Sequence, residues 1–355
     1  MAKIDGINKV KPEHDKNYII NGDMNIAQRG TSFAAIANAA YSLDRWTYIN
    51  TGTAVHTITQ DTDVPTLAQA GYLFQNSLRA NLTTADTSIA AGDAYAVQQF
   101  IEGFNWANLA QKSFTLSFWV KATLTGTYCI SFRNTGQDKS YVAEYTINTT
   151  ATWEYKTVTV SASPSAGTWN YTNGIGLRVT WTLAAGSTFQ TTAGTWNGAT
   201  TFLGTSNQVN GVNTGATDFR ITGVVLNESV TAAPFSLMGI GFEAELAHCQ
   251  RYYEKTFDLG VAPVQNAGTV GSLCASGAVT NQTFTVDWLF KTSKRSSPTI
   301  TTFSTNAASA NWSTNTTTPT AASTATGTNS TCIQGTTSVT AGNAYNIQAT
   351  ADAEL

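Results

Sequence analysis

The stretch FTLSFWVK, residues 114–121, alternates two kinds of side chain along its whole length. Its even-numbered residues, which are all large and apolar, are Phe114, Leu116, Phe118 and Val120. Its odd-numbered residues are Thr115, Ser117, Trp119 and Lys121. Because successive side chains of a β-strand point to opposite faces of a sheet, this period of two predicts a strand with one buried and one outward face.

The same alternation recurs at short intervals through the first two thirds of the chain. The clearest further runs are YCISFR (128–133), YVAEYTI (141–147), GLRVTWTL (176–183) and FRITGVV (219–225). In the last run the buried phase would include Gly223 and Val225. Segments rich in Gly, Asn, Asp, Ser and Pro lie between the runs and are typical of turns. Many short strands at this spacing predict an all-β protein, built as an antiparallel sandwich or barrel.

The charge and hydropathy of the chain argue against nucleic acid and membranes as partners. The formal net charge is −3, and the largest basic cluster is KTSKR at residues 291–295. A protein that grips nucleic acid through its phosphates would normally show a larger basic patch, so we expect no nucleic acid. The first residues carry scattered charges, and no later run has the length of a bilayer span, so we expect synthesis in a cytoplasm and no membrane insertion.

The four cysteines are Cys129, Cys249, Cys274 and Cys332. Their spacing fits neither a metal knuckle nor a redox pair, and we expect free, buried thiols.

One segment departs from the strand pattern, and it divides the chain. GFEAELAHCQRYYEKTF, residues 241–257, is rich in charge and has helical periodicity, with acidic residues near its start and basic residues near its end, as suits the helix dipole. The apolar stripe of this predicted helix consists of Phe242, Leu246, Cys249 and Tyr253. We therefore predict an N-terminal arm, a sandwich domain, a connecting helix and a small C-terminal β domain at residues 1–16, 17–235, 236–257 and 258–355.

An ordered set of segments resembles bacteriophage tail fibre and receptor-binding proteins. The N-terminal members are NYIINGDMNIAQRG (17–30), YSLDRW (41–46), FTLSFWVKA (114–122) and WEYKTVTV (153–160). The later members are ITGVVLNESVTAAPF (221–235), ELAHCQRYYEK (245–255), FKTSKRSSPTIT (290–301) and AYNIQATADAEL (344–355). Together they cover nearly the whole chain.

The resemblance implies a virion component whose jelly-roll module is similar to carbohydrate-binding modules. It implies a homotrimer, attached to other virion proteins through the N-terminal arm and binding a polysaccharide on the host cell surface. Three helices could pack around a common axis through Phe242, Leu246 and Tyr253. The alternative is a helix that folds back onto its own sandwich.

A sugar site needs an aromatic platform and polar groups for the hydroxyls. If the predicted strands share one sheet, its outward face would carry Gln98, Trp119, Arg133, Glu144 and Arg178. Glycine-rich loops add Trp169, Tyr171 and Trp196. The alternatives are ordinary cross-strand ion pairs on a solvated face and tryptophans that merely fill their loops.

No cofactor is required by the sequence, but jelly-roll modules of the resembled kind often hold structural calcium. Asp44 and Asp218 are the oxygen donors predicted for Ca²⁺, with Asp61 and Asp63 as a second option. Each of these aspartates could instead simply form a turn.

Two other function classes are alternatives for this sequence, an enzyme and a purely structural protein. A polysaccharide-cleaving spike would need two carboxylates across one glycosidic bond, for which Glu144 with Glu154, or Asp61 with Asp63, could be proposed. No solenoid-length repeat is visible and the three histidines are scattered, so we favour a protein that is not an enzyme. A head fibre or decoration protein with a purely structural role is the other alternative.

Overall fold

The computed structural model describes residues 16–198, 200–214, 217–239, 241–314, 319–336 and 339–355. The predicted attachment arm therefore lies outside the described residues, except for Lys16. The regular secondary structure of the described chain is almost entirely β, as the sequence predicts. No helix in this part of the chain is long and apolar enough to cross a bilayer.

Twelve strands and two short helices build the first unit. The strands up to residue 122 are β1 (Ser32–Phe33), β2 (Trp46–Asn50), β3 (Val55–Asp61), β4 (Ser77–Thr84), β5 (Ala94–Glu102) and β6 (Phe114–Ala122). The following strands are β7 (Gly126–Arg133), β8 (Lys139–Ile147), β9 (Glu154–Val160), β10 (Ile175–Ala185), β11 (Trp196–Gly198) and β12 (Asp218–Asn227). The helices are α1 (Leu67–Ala70) and α2 (Gly103–Trp106), and a 3₁₀ turn covers Ser187–Phe189.

The twelve strands form two antiparallel sheets of six. Sheet A has the order β1-β3-β4-β12-β6-β9, and sheet B has the order β11-β8-β7-β10-β5-β2. Apart from β3 with β4 and β7 with β8, neighbouring strands are not consecutive in the sequence, so the chain crosses repeatedly between the sheets. This is the predicted jelly-roll sandwich.

The core between the sheets is filled by the residues that the alternation assigns to it. All four even-numbered residues of FTLSFWVK are fully buried in one continuous apolar cluster. Trp181 of β10 lies in the same cluster, with its ring 5.3 Å from that of Trp46 and 5.8 Å from that of Phe118.

The predicted phase of β12 is wrong after Thr222. A bulge between Thr222 and Val225 shifts the strand by one residue against β6. Gly223 adopts a φ of 62°, which favours glycine, and Val224 enters the core instead of Val225. Val225 is consequently moved to the outer side of sheet A.

The C-terminal unit is a smaller sandwich around its own core. Its strands are β13 (Tyr253–Lys255), β14 (Leu273–Ser276), β15 (Phe284–Leu289), β16 (Thr299–Ser304), β17 (Thr320–Thr324), β18 (Ser330–Thr336) and β19 (Ala344–Asp352). β19 pairs with β13, β14 and β16, while β15, β18 and β17 form a second sheet. Trp312, Tyr345 and Ile347 are fully buried between them.

The connecting helix is shorter than predicted. α3 covers Phe242–Gln250, and Tyr253 lies in β13 rather than on the helix. Leu246 packs with Ile20 and Ile26 of the sandwich, so this helix does fold back onto its own chain. Phe242 is the exposed member of the predicted trimer face. The trimer itself stays a prediction.

A buried polar junction joins the two units. Arg45 forms an ion pair with Glu354 and lies 3.5 Å from the ring centre of Tyr252. Glu102 accepts two hydrogen bonds from Arg251, at 2.6 and 2.8 Å. The contact between the two units thus includes salt bridges and a cation–π contact.

No disulfide joins the cysteines of the described chain, and they are not all buried. Cys129 and Cys249 lie in the interior, Cys332 is half-buried, and Cys274 is exposed on β14. The expectation of buried thiols is therefore wrong for Cys274, whose side chain points away from the small core.

Candidate ligand-binding surfaces

The five residues predicted to share one outward face are divided between the two sheets. Trp119 lies on β6 of sheet A, whereas Gln98, Arg133, Glu144 and Arg178 lie on strands of sheet B. The expectation of one continuous patch is therefore wrong, because the crossing connections place β6 on the opposite side of the sandwich. Each sheet carries its own pocket.

The pocket on sheet A, here called the aromatic pocket, has a volume of about 380 Å³. Trp119 and Tyr155 face each other in register on β6 and β9, with ring centres 5.4 Å apart and planes inclined by 47°. Tyr72 and Phe235 form the other wall, with their rings 4.7 Å apart. Tyr155 is 44% exposed, so its ring is open to a ligand.

Local sequence signals explain how the second wall is positioned. Thr66 caps α1 in a capping box with Gln69, and Gly71 ends the helix with a φ of 67°. The chain then leads directly into Tyr72. The bulge at Gly223 provides the floor, where a Cβ atom would come within 2.6 Å of Phe74 and 3.1 Å of Trp119.

A charge network lies beside the aromatic pocket on the same sheet. Asp63 accepts hydrogen bonds from Lys121 at 2.6 Å and from Trp153 at 3.0 Å. Burial acts to raise the pKa of Asp63, but these two donors hold it below the usual range. The network contains three carboxylates and three cations, which are Asp61, Asp63, Asp218, Arg79, Lys121 and Arg220.

The pocket on sheet B, here called the arginine pocket, also has a volume of about 380 Å³. Arg133 donates to Gln137 at 2.7 Å and to Gln98 at 2.6 Å, and Gln98 also accepts from Thr180 at 3.0 Å. Arg178 lies opposite Arg133 in register, and its guanidinium is 5.1 Å from the ring centre of Phe100. Burial, with a smaller effect from Arg178, lowers the pKa of Arg133 to about 9.

Glu144 belongs to neither pocket. It lies on the exposed side of β8 in a separate depression, where Thr205 donates to it at 2.5 Å and Asn207 at 3.0 Å. Its contacts fix the loop that covers part of sheet B.

Two of the three predicted loop aromatics pack within the protein. Trp169 stacks on Trp106 at 5.2 Å with an interplanar angle of 18°, and its edge meets Trp196 at 5.8 Å. Trp196 also contacts Tyr141 at 5.5 Å. Trp169 fills its loop, as the alternative interpretation held, whereas Trp196 lies on the short strand β11 and not in the predicted loop. Tyr171 is exposed and lies in neither pocket.

The aspartates predicted to bind calcium are held by donors of the protein itself. Asp44 accepts from the backbone and side-chain nitrogens of Gln28, both at 2.6 Å. Asp218 accepts from Arg79 at 2.9 Å and from Arg220. Across the described residues, no three His, Cys, Asp or Glu side chains form a group that could hold a metal ion. Calcium binding stays a prediction.

The carboxylate pairs proposed for hydrolysis do not form a catalytic pair in the described chain. Glu144 lies on β8 of sheet B and Glu154 on β9 of sheet A. Burial acts to raise the pKa of Glu154, but hydrogen bonds led by that from Lys156 lower it to about 2, which is unsuited to a general acid. Asp61 and Asp63 are engaged by arginines and a lysine of the charge network.

Three aromatic residues of the site escaped the sequence analysis. Tyr155 could have been found, because Val158 and Val160 are the core residues of β9 and place Tyr155 on the other face. Tyr72 and Phe235 come from loops, where no periodicity indicates direction.

Comparison with known proteins gives structural similarities only. No protein-family model matches the sequence, and no curated protein matches it either. A Bacteroides thetaiotaomicron protein provisionally described as sugar-binding is 13% identical, with a TM-score of 0.38, 60% of this chain covered and 100% of the other. A CBM4 carbohydrate-binding module is 14% identical, with a TM-score of 0.32 and coverages of 59% and 98%. A CBM61 module in complex with β-1,4-galactotriose is 9% identical, with a TM-score of 0.30 and coverages of 60% and 99%. These values are low, and none of the three similarities says what this chain binds.

Proposed function

We propose that this chain binds a glycan in the aromatic pocket of sheet A. The observation that carries the proposal is the paired placement of Trp119 and Tyr155 on adjacent strands, at the mouth of a concave site. Sugar rings present flat C–H faces that pack on such rings. The hydroxyl groups of Tyr72 and Tyr155 and the exposed amide of Gln69 supply hydrogen-bonding partners at the rim.

The biological setting rests on the sequence resemblance to bacteriophage fibres. In this proposal the glycan belongs to a host cell surface, the protein is part of a virion, and residues 1–16 attach it to the particle. The sandwich would then act in adsorption. Removal of residues 1–16 should prevent incorporation into particles while the sandwich still binds glycan.

Binding of the purified protein to host cells and to a glycan panel tests the proposal. Trp119→Ala and Tyr155→Ala should each weaken binding at least tenfold, because an aromatic hot-spot side chain contributes about 2 kcal/mol or more and about 1.4 kcal/mol corresponds to a factor of ten in affinity. Phe104→Ala removes an aromatic ring that is 55% exposed and lies outside the pocket, and it should bind as the wild type does.

A different pattern would assign the protein to another class. If the wild type binds no glycan or cell, the protein is better described as a structural head fibre or decoration protein. If it releases reducing ends from a host polysaccharide, it is an enzyme. A thermal melt of each variant separates lost binding from lost folding.

We also propose self-association as a homotrimer, supported by apolar residues on the C-terminal unit. Six large aliphatic side chains there are exposed in the single chain, including Leu289 at 74%. Contact between copies of the chain would bury such side chains, which are otherwise in contact with water. Light scattering at micromolar concentration should give three times the chain mass of 37.7 kDa, and Leu289→Asp should lower it. A wild-type monomer would contradict the proposal.

A further inference from the structure

The arginine pocket of sheet B has a chemistry that the aromatic pocket lacks. Arg133 and Arg178 are direct neighbours across β7 and β10 and line the same cavity. Within the described residues, neither guanidinium lies within ion-pair distance of a carboxylate. The other described arginines of the sandwich, such as Arg45 at the junction and Arg79 and Arg220 on sheet A, each have a carboxylate partner.

Two unneutralised cations at this position are unfavourable for folding. Like charges directly opposite each other in a sheet repel, and burial adds a desolvation penalty. Arg133 is only 3% exposed. The Nε atoms of both arginines are buried without a hydrogen-bond partner, as are those of Arg45 and Arg220, but Arg133 and Arg178 lack the carboxylate partners that Arg45 and Arg220 have. A buried, unused donor is the feature that a bound acceptor would satisfy.

The surrounding residues fix the guanidinium group of Arg133. Gln98 and Gln137 accept from Arg133, so its plane is fixed before any ligand arrives. Arg178 is not held by a hydrogen bond of its own in the described chain, but it packs near the ring of Phe100. Tyr41 adds further aromatic surface to the cavity wall. Leu355, the last residue of the sequence, lies at the rim, where a main-chain oxygen accepts a hydrogen bond from Tyr41 at 2.9 Å.

The geometry points to a second ligand site in the arginine pocket, which binds the carboxylate of an acidic sugar between Arg133 and Arg178. A planar carboxylate matches the fork of a guanidinium, and a lysine pair would not offer this match. A volume of about 380 Å³ lies within the range of small-molecule sites and leaves room for the sugar ring against Phe100 and Tyr41. The sugar part of this assignment rests on the proposed glycan function, whereas the carboxylate part rests on the two arginines.

The test is a ligand-observed NMR titration of the full chain at low ionic strength. The probes are D-glucuronate, D-glucose, acetate and inorganic phosphate. Glucuronate should bind at least tenfold more tightly than glucose and more tightly than acetate or phosphate, and added salt should weaken it. Arg178→Gln should reduce glucuronate affinity at least tenfold. The glucuronate affinity of Arg178→Lys should lie between those of the wild type and Arg178→Gln, because lysine keeps the positive charge but lacks the planar guanidinium that binds a carboxylate through two hydrogen bonds.

The controls separate this site from the aromatic pocket. Lys112→Gln removes one cation from an exposed ion pair and should bind glucuronate as the wild type does. Trp119→Ala should also keep glucuronate binding, even if it loses the host glycan. Arg178 is used because it is only half-buried, and a thermal melt confirms folding of each variant.

Three results would overturn the inference. The first is an Arg178→Gln variant that binds glucuronate as tightly as the wild type. The second is equal affinity for glucuronate and glucose, which shows that the carboxylate is not recognised. The third is acetate or phosphate binding that equals glucuronate binding, which shows an adventitious anion only.

Discussion

Arg45 and Glu354 are 309 positions apart in the sequence and form an ion pair that is almost completely buried. Arg29 approaches the same carboxylate at 3.3 Å and lies over the ring of Tyr253. The partners come from NIAQRG, SLDRW, HCQRYYEK and ADAEL, four segments on which the resemblance to phage fibres rests. These motifs therefore specify the joint between the two units, and they say little about the ligand.

Replacement of Glu354 by glutamine should strongly destabilise the protein. The substitution leaves Arg45 buried without a counter-charge, and breaking a buried pair in this way costs about 3–5 kcal/mol. The free energy of unfolding from urea denaturation measures the loss. Asp352→Asn is the matched control, because that side chain is 42% exposed and its contact with Arg29 contributes little. Equal effects of the two substitutions would contradict a special role for the buried pair.

Gly223→Ala should destabilise the sandwich and weaken glycan binding together. Alanine is strained at a φ of 62°, and its Cβ would approach Phe74 to 2.6 Å under the aromatic pocket. We expect a loss of about 1–3 kcal/mol in unfolding free energy. Gly92→Ala adds a methyl group where no atom lies within 4 Å, so it should leave both properties unchanged. If a folded Gly223→Ala variant bound glycan as tightly as the wild type, the bulge would not be needed to shape the aromatic pocket.

Most of the core could be predicted because alternation depends only on neighbouring residues. FTLSFWVK shows this clearly, since all four of its even-numbered apolar residues are buried. The bulge in FRITGVV could not be predicted in the same way. A bulge shifts the alternation of buried and outward residues by one position. That Val224 and not Val225 is buried is seen only in the folded structure, where Val224 contacts the core.

The binding surfaces were less predictable because they depend on strand order. Trp119 and Arg178 are both outward-facing, and each was identified from its own strand. Their assignment to one patch required β6 and β10 to share a sheet, and the pairing of distant strands is not encoded in local periodicity. Tyr72 and Phe235 enter the aromatic pocket from loops, which carry no periodic signal at all.

His56 should make the fold sensitive to acid. Its ring is buried against the hydroxyl of Tyr48, and burial lowers its pKa from the ordinary value of 6.5 to about 4. The unfolded chain therefore binds a proton between these pH values while the folded chain does not. The contribution of neutral His56 to the free energy of unfolding is fully present above pH 6.5. It is lost as the pH falls towards 4, which lowers the free energy of unfolding by roughly 3 kcal/mol.

The variant His56→Gln isolates this contribution. Glutamine can still hydrogen-bond to Tyr48 but does not titrate, so unfolding free energy should vary less between pH 7 and pH 4 than in the wild type. Burial also lowers the pKa of His248, and that contribution remains in both proteins. Identical pH slopes in wild type and variant would show that His56 is not the source.

Cys274 should be the thiol that reacts first in the native protein. It is exposed on β14, whereas burial raises the pKa of Cys129 and Cys249 and removes them from solvent. Titration of the native protein with a chromogenic disulfide should show a fast phase that disappears in Cys274→Ser. In denaturant all four cysteines should react. A fast phase that survives the substitution would mean that another thiol is accessible. Protection of Cys274 in the wild type, relieved by Leu289→Asp, would instead show that self-association covers this part of the C-terminal unit.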